Sequence, residues 1–142
     1  HARAAVEAAG LGERVRLVEA YLPAALPGPF DAVVSNSLLH HLPDPSVLWE
    51  TIARDGAPGA PVLVIDLVRP PNRPAAQAIV DEYAAGEPQV LRHDFYHSLC
   101  AAFEPAEIQA QLDAAGLGYL QVQTISDRHV GVWGHLKAVT GD

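Results

Sequence analysis

Methionine is absent from this chain, and cysteine occurs once, at Cys100. The longest apolar runs, such as 61–65, stop far short of the roughly 18 residues a membrane-spanning helix needs. A lone thiol forms no internal disulfide and offers no metal-ligand spacing, which points to a reducing compartment, the cytoplasm by default. With no long apolar helix and no basic-then-apolar leader, the expectation is a soluble chain with no membrane partner. Basic residues are also scarce, 9 against 17 acidic ones, for a net charge of -8. That balance repels a phosphate backbone and supplies no basic stripe, so nucleic acid is not expected as a partner. The absent methionine and a first residue, His1, that falls inside a helical pattern suggest a piece of a longer gene product; His1 itself fits a tag or linker remnant. At 142 residues, 49% of them hydrophobic, the chain suits a single domain over 1–142.

What is present alternates between two periodicities. "ARAAVEAAGLGERV" sets Ala5, Val6 and Ala9 on one helical face and exits at Gly10. "VRLVEAYL" (15–22) and "DAVVSN" read as two strands joined by Pro- and Gly-rich punctuation. "DPSVLWETIARDG" offers Asp44 as N-cap, Pro45 at the first helical position and an apolar stripe of Val47, Leu48 and Ile52. "APVLVIDLV" is the continuous apolar run of a strand buried on both faces. Prolines at 69–74 break the pattern, and 75–100 reads as an irregular helical insertion. "EPAEIQAQLDAAGL" is a further helix leaving at Gly116. "YLQVQTIS" and "VGVWGHLKAVTG" alternate as a closing antiparallel pair. The fold class is therefore α/β, a layered sheet with helices and an antiparallel edge.

Ligands of open α/β sheets collect outside the carboxyl ends of the strands, which is where Asn36 and Ser37 fall. "FDAVVSNSLLHHLPDP", then "LWETIARDGAPGAPVLVIDLVRP", then "FEPAEIQAQLDAAGL" before a final strand pair, resembles the class I S-adenosylmethionine-dependent methyltransferases of the small-molecule branch. The resemblance covers nearly the whole chain. It implies a Rossmann-like, mostly parallel sheet with an antiparallel C-terminal strand, of which this chain holds the third to seventh strands. It implies S-adenosylmethionine as cofactor and methyl transfer to a small-molecule acceptor. Asn36, Ser37 and Leu38 then line the methionine end of the cofactor pocket, and Tyr21 and Leu22 pack against its ring. His40 and His41 stand where the family often carries histidine near the reacting centre. The insertion at 75–100 becomes a lid that offers Tyr96 and His97 to the substrate.

The same resemblance marks what is not in the sequence: the glycine-rich turn after the first strand and the acidic residue after the second. Without those strands the sheet is N-terminally incomplete, and the strand at 15–22 either pairs with 32–36 or leaves a gap for a second copy. An open strand edge invites association, so a homodimer or strand-swapped pair is expected. The rival reading is a non-catalytic remnant that associates through that edge.

Several side chains carry two readings. A histidine suits proton removal near neutral pH, so His40 or His41 is either a general base or a cap on the turn. Adjacent in sequence, the two do not face one metal. His93 and His97 share the four-residue spacing of zinc helices but lack a third ligand; no metal is expected. Asp66 either faces the pocket or bonds to the start of the lid. Arg69 is a surface ion pair or an anion clamp, while Cys100, Trp49 and Trp133 read as packing. A hydrolase using Ser35 or Ser37 lacks the Gly-x-Ser-x-Gly turn.

Overall fold

The structure, a computed structural model, describes residues 1–24 and 26–138. Its sheet has four strands, β1 (Val33–Asn36), β2 (Pro61–Leu67), β3 (Gln121–Thr124) and β4 (His129–His135), in the order β1-β2-β4-β3. β1 and β2 run parallel, while β4 is antiparallel to both β2 and β3. The α/β class and the antiparallel closing strand are as expected. The sequence pattern carries that last strand on through Val139, Thr140 and Gly141, which lie outside the described residues.

Among the described residues five helices accompany the sheet, α1 (Ala2–Ala8), α2 (Ser46–Asp55), α3 (Arg73–Tyr83), α4 (Gln89–Ala101) and α5 (Pro105–Ala114), together with one 3-10 turn at Leu39–His41. α1 ends as its glycine foretells. Gly10 takes a φ of 66°, and the N–H groups of Gly10 and Leu11 return to the carbonyls of Glu7 and Val6. Asp44 lies two residues before α2 and accepts from the Ser46 N–H at 3.0 Å, with Pro45 in the cap position, so the expected cap is displaced by a single position. α5 starts with a capping box in which Glu104 and Glu107 satisfy each other's backbone N–H.

The strand expected over 15–22 does not form, nor does that segment pair with 32–36. A strand is held by its ladder, and among the described residues no neighbour lies alongside this one. Val15 instead returns its N–H to the Leu11 carbonyl, and Val15, Leu17 and Val18 stay exposed. One edge of β1 consequently has no strand partner among the described residues.

Alternation along the strands divides the sheet into two faces. Val62, Val64, Val130 and Val132 point to the covered face and pack with Leu48, Trp49 and Ile52 of α2 and Ile108 and Leu112 of α5. Each such large side chain contributes about 1.5–3 kcal/mol when fully buried. Trp49 also donates its indole N–H to Gln111 Oε1 at 2.9 Å, joining α2 to α5. The other face is left open on β1 and β2, where Val34 is 71% and Leu63 39% exposed.

The expected insertion is a helical pair with its own small core of Leu67, Ala76, Val80, Ala84, Leu99 and Ala102. Asn72 caps α3 by accepting the Ala75 N–H at 2.9 Å. At the root of the insertion Val68 bridges Phe103, and the Arg69 N–H reaches the Phe103 carbonyl at 3.2 Å. At its far bend the Tyr83 hydroxyl donates to Asp127 Oδ2 at 2.9 Å, and the Arg128 guanidinium lies 3.4 Å from the centre of the Tyr83 ring. Donation from Tyr83, reinforced by Arg128, holds the Asp127 carboxyl below its usual range. Arg69 is an ion-pair residue, reaching Glu107 at 2.7 Å and Glu104 at 3.3 Å.

Candidate active site

The parallel pairing brings the carboxyl ends of β1 and β2 side by side, with Asn36 opposite Ile65. One residue further along β2 stands Asp66, a carboxylate on the covered face and only 1% exposed. A charge so placed requires partners. Asp66 has four: Oδ2 accepts the N–H groups of Leu38 and Leu39, each at 2.8 Å, while Oδ1 accepts the Leu67 N–H at 2.8 Å and meets His40 Nδ1 at 2.5 Å.

The backbone of the preceding turn explains how two successive N–H groups reach one oxygen. Ser37 adopts a φ of 53°, in the left-handed region that non-glycine residues seldom use, and Leu38 follows in the right-handed region. Successive residues of opposite hand turn their N–H groups into one concavity, an anion-binding nest. Here the anion is internal, the carboxylate of Asp66. The Ser37 N–H continues the sheet by bonding to the Ile65 carbonyl at 2.9 Å. Asn36 and Ser37 are exposed at this edge, and Leu38 is half-buried.

Because three backbone donors already converge on the carboxylate, it acts as acceptor and His40 Nδ1 as donor. That bond fixes the tautomer and leaves Nε2 as the ring's acceptor. The His40 side chain is 4% exposed, whereas its neighbour His41 is exposed and stacks on it at 3.9 Å between ring centroids. Both line an open cavity of about 360 Å³ whose other wall is α4, through Asp94, His97, Ser98 and Ala101. Positions 94, 97, 98 and 101 follow the i, i+3, i+4, i+7 spacing of one helical stripe.

The structure thus gathers His40, His41 and His97 around one cavity and sends Tyr96 elsewhere. Tyr96 lines a separate cavity of about 260 Å³ with Gln77, Val80, Gln89, Arg92 and His93. Partial burial and the neighbouring Cys100 thiol push its phenol above the usual range, so it stays protonated. Tyr21 is 94% exposed and Leu22 half-buried, in the segment that forms no strand. The His93 and His97 rings lie 4.3 Å apart, and among the described residues no group of three or more His, Cys, Asp or Glu is placed to hold a metal ion. Also among the described residues, no helix is long and apolar enough to cross a membrane. Asp66 is the residue that sequence reasoning left without a definite role. Its signal was a carboxylate inside a seven-residue apolar strand.

No family model matches the chain. It is 32% identical over 120 residues to the ubiquinone biosynthesis O-methyltransferase of Xanthomonas euvesicatoria pv. vesicatoria (strain 85-10), an alignment covering 84% of this chain and 47% of that protein. Among solved structures it resembles an O-methyltransferase family protein from Burkholderia thailandensis, with a TM-score of 0.68, 22% identity, and coverage of 97% of this chain and 40% of that one. A SAM-dependent methyltransferase from Aquifex aeolicus gives a TM-score of 0.60 at 18% identity, covering 95% of this chain and 61% of the other. The chain spans about half the length of the curated relative it matches.

Proposed function

We propose that this chain, whose fold is that of the class I S-adenosylmethionine-dependent methyltransferases, forms the acceptor side of an enzyme that methylates a hydroxyl group of a small molecule. The observation that carries the proposal is the His40 ring, tied through Nδ1 to Asp66 at the paired ends of β1 and β2 and facing a cavity. The likeness to an O-methyltransferase supports oxygen as the acceptor atom.

The donor set at the end of β1 fits one end of the cofactor. Asn36 and Ser37 offer an amide, a hydroxyl and exposed backbone to its amino-acid part, with Leu38 beside them. Tyr21 and Leu22 are assigned to its ring. When bound, S-adenosylmethionine supplies a methyl group on a positively charged sulfur. The chain's own work is to hold the acceptor hydroxyl in line and to take its proton. As the oxygen gains the methyl, its proton passes to His40 Nε2, and the carboxylate of Asp66 steadies the positive ring through Nδ1. His41 stacks on that ring and His97 lines the same cavity from α4, as the substrate-side contacts, while Tyr96 lines a separate cavity and takes no part there.

Calorimetry on the chain, alone and within any longer parent, tests the cofactor assignment: millimolar S-adenosylmethionine or S-adenosylhomocysteine is expected to bind at least the longer form, and no binding to either refutes it. In an active form, His40→Ala is expected to lower kcat by about 100-fold or more. A single half-buried thiol suits a reducing compartment, and the cytoplasm is the proposed location. The edge of β1 that has no strand partner among the described residues, with Val34 of that strand exposed, favours association of two copies through it.

A further inference from the structure

The cavity shared by the 3-10 turn and α4 is unusual in what lines it. Three imidazoles, one carboxylate, one hydroxyl and a single methyl, from Ala101, form its walls. Ligand pockets of a few hundred Å³ are ordinarily lined mainly by apolar and aromatic side chains, with few polar groups. The apolar side chains of α4 point elsewhere: Leu99 is buried against α3, and Phe95, Tyr96 and Cys100 pack on the same cluster. Val90 and Leu91, near the start of α4, are exposed but are not among the lining residues, so the walls themselves offer little apolar surface to an alkyl or polyisoprenoid tail.

Its charge is equally one-sided. Asp94 is the one carboxylate among the lining residues, and no lysine or arginine joins it there. Of the arginines in and beside the insertion, Arg92 pairs with Asp81 at 2.6 Å and Arg69 with Glu104 and Glu107, while Arg73 lines a different cavity with Arg69 and Cys100. His93 lies 3.7 Å from Asp94 and stacks on His97 from outside the cavity wall. What remains on the walls is the Asp94 carboxylate, an acceptor only, with three imidazoles and the Ser98 hydroxyl, each able to donate and to accept.

We infer that the acceptor is a small, donor-rich molecule, a hydroxylated ring bearing an amine or further hydroxyls, and not a carboxylic acid, a phosphate ester or a long-chain lipid. This rests on the methyltransferase reading for the word acceptor, but the cavity's preference is a property of its walls alone. An ammonium group beside Asp94 gains attraction, and a carboxylate in its place is repelled. Asp94 is well exposed, 68% for its side chain, so the discrimination expected is that of a surface pair, about fivefold.

The test reads the histidine ring signals of the whole chain by NMR during titration with tyramine, 4-hydroxybenzoate and a phenol carrying a long alkyl chain. Tyramine is expected to shift His41 and His97 and to bind about fivefold more tightly than 4-hydroxybenzoate, with Asp94→Asn bringing the two together. Equal or tighter binding of the acid or the alkyl phenol overturns the inference, as does the absence of any shift at His41 and His97 with all three probes. Neither result depends on cofactor, so calorimetric binding of S-adenosylmethionine alongside a failed ring titration rejects the inference while sparing the methyltransferase reading. Ring shifts without cofactor binding do the reverse.

Discussion

One carboxylate, that of Asp66, satisfies three backbone N–H groups and an imidazole at once. In Asp66→Asn one oxygen survives, but the new NH2 confronts N–H groups that it has no means of accepting. A loss of about 3 kcal/mol is expected, the scale for breaking a buried charged network, and a urea denaturation midpoint equal to wild type would refute the network. His129 supplies a prediction of opposite chemistry. Burial first, then Arg128, pushes its pKa below the usual value, and the Ser126 hydroxyl, which accepts the N–H groups of Arg128 and His129, donates to His129 Nδ1 at 2.9 Å. The folded state thus binds this proton less readily than the unfolded chain does. Its share of stability is complete above the unfolded pKa of about 6.5 and is lost as pH falls from there through the lower folded pKa. His129→Gln is expected to flatten that part of the stability-pH curve, measured by denaturation at successive pH values. At this scale the sequence was only half legible. It placed histidines at the right turn, yet nothing in two adjacent imidazoles distinguishes the buried, tethered His40 from the exposed His41. Nor does a serine announce a left-handed backbone as a glycine does, so the nest at Ser37 was invisible.

Among the elements, those written in local chemistry were readable. Glu104, Pro105 and Glu107 are a start signal whatever surrounds them, and the capping box forms. Asn72 caps α3 in the same way, although the prolines at 69–74 read as a break and hid a helix that starts at Arg73. Asn72→Ala is expected to cost about 1 kcal/mol, the usual worth of an N-cap, seen as a lower thermal midpoint by circular dichroism; no change would mean that the cap bond at Ala75 contributes nothing. The segment 15–22 failed for the converse reason. Its β-branched residues suit a pleated surface, but a strand is completed by a neighbour, and the neighbour is not among the described residues. The parallel register of β1 on β2 was likewise beyond local signals, since it depends on residues 29 positions apart.

For the molecule as a whole, the edge of β1 that has no strand partner among the described residues is the feature that invites association. The chain is expected to sediment as a dimer, and Val34→Lys to restore the monomer by placing charge on the edge; a wild-type chain that remains monomeric at its highest attainable concentration refutes the association. The opposite side of the structure is shut. Tyr83 and Asp127 lie 44 positions apart, so their bond closes a loop holding α4, α5 and β3. The bridge of Val68 to Phe103 closes the same insertion at its root. A strap buckled at both ends is not a flap. The cavity that His40 lines lies along the seam between the 3-10 turn and α4, and a molecule that uses it would meet His41 and His97 as the doorposts.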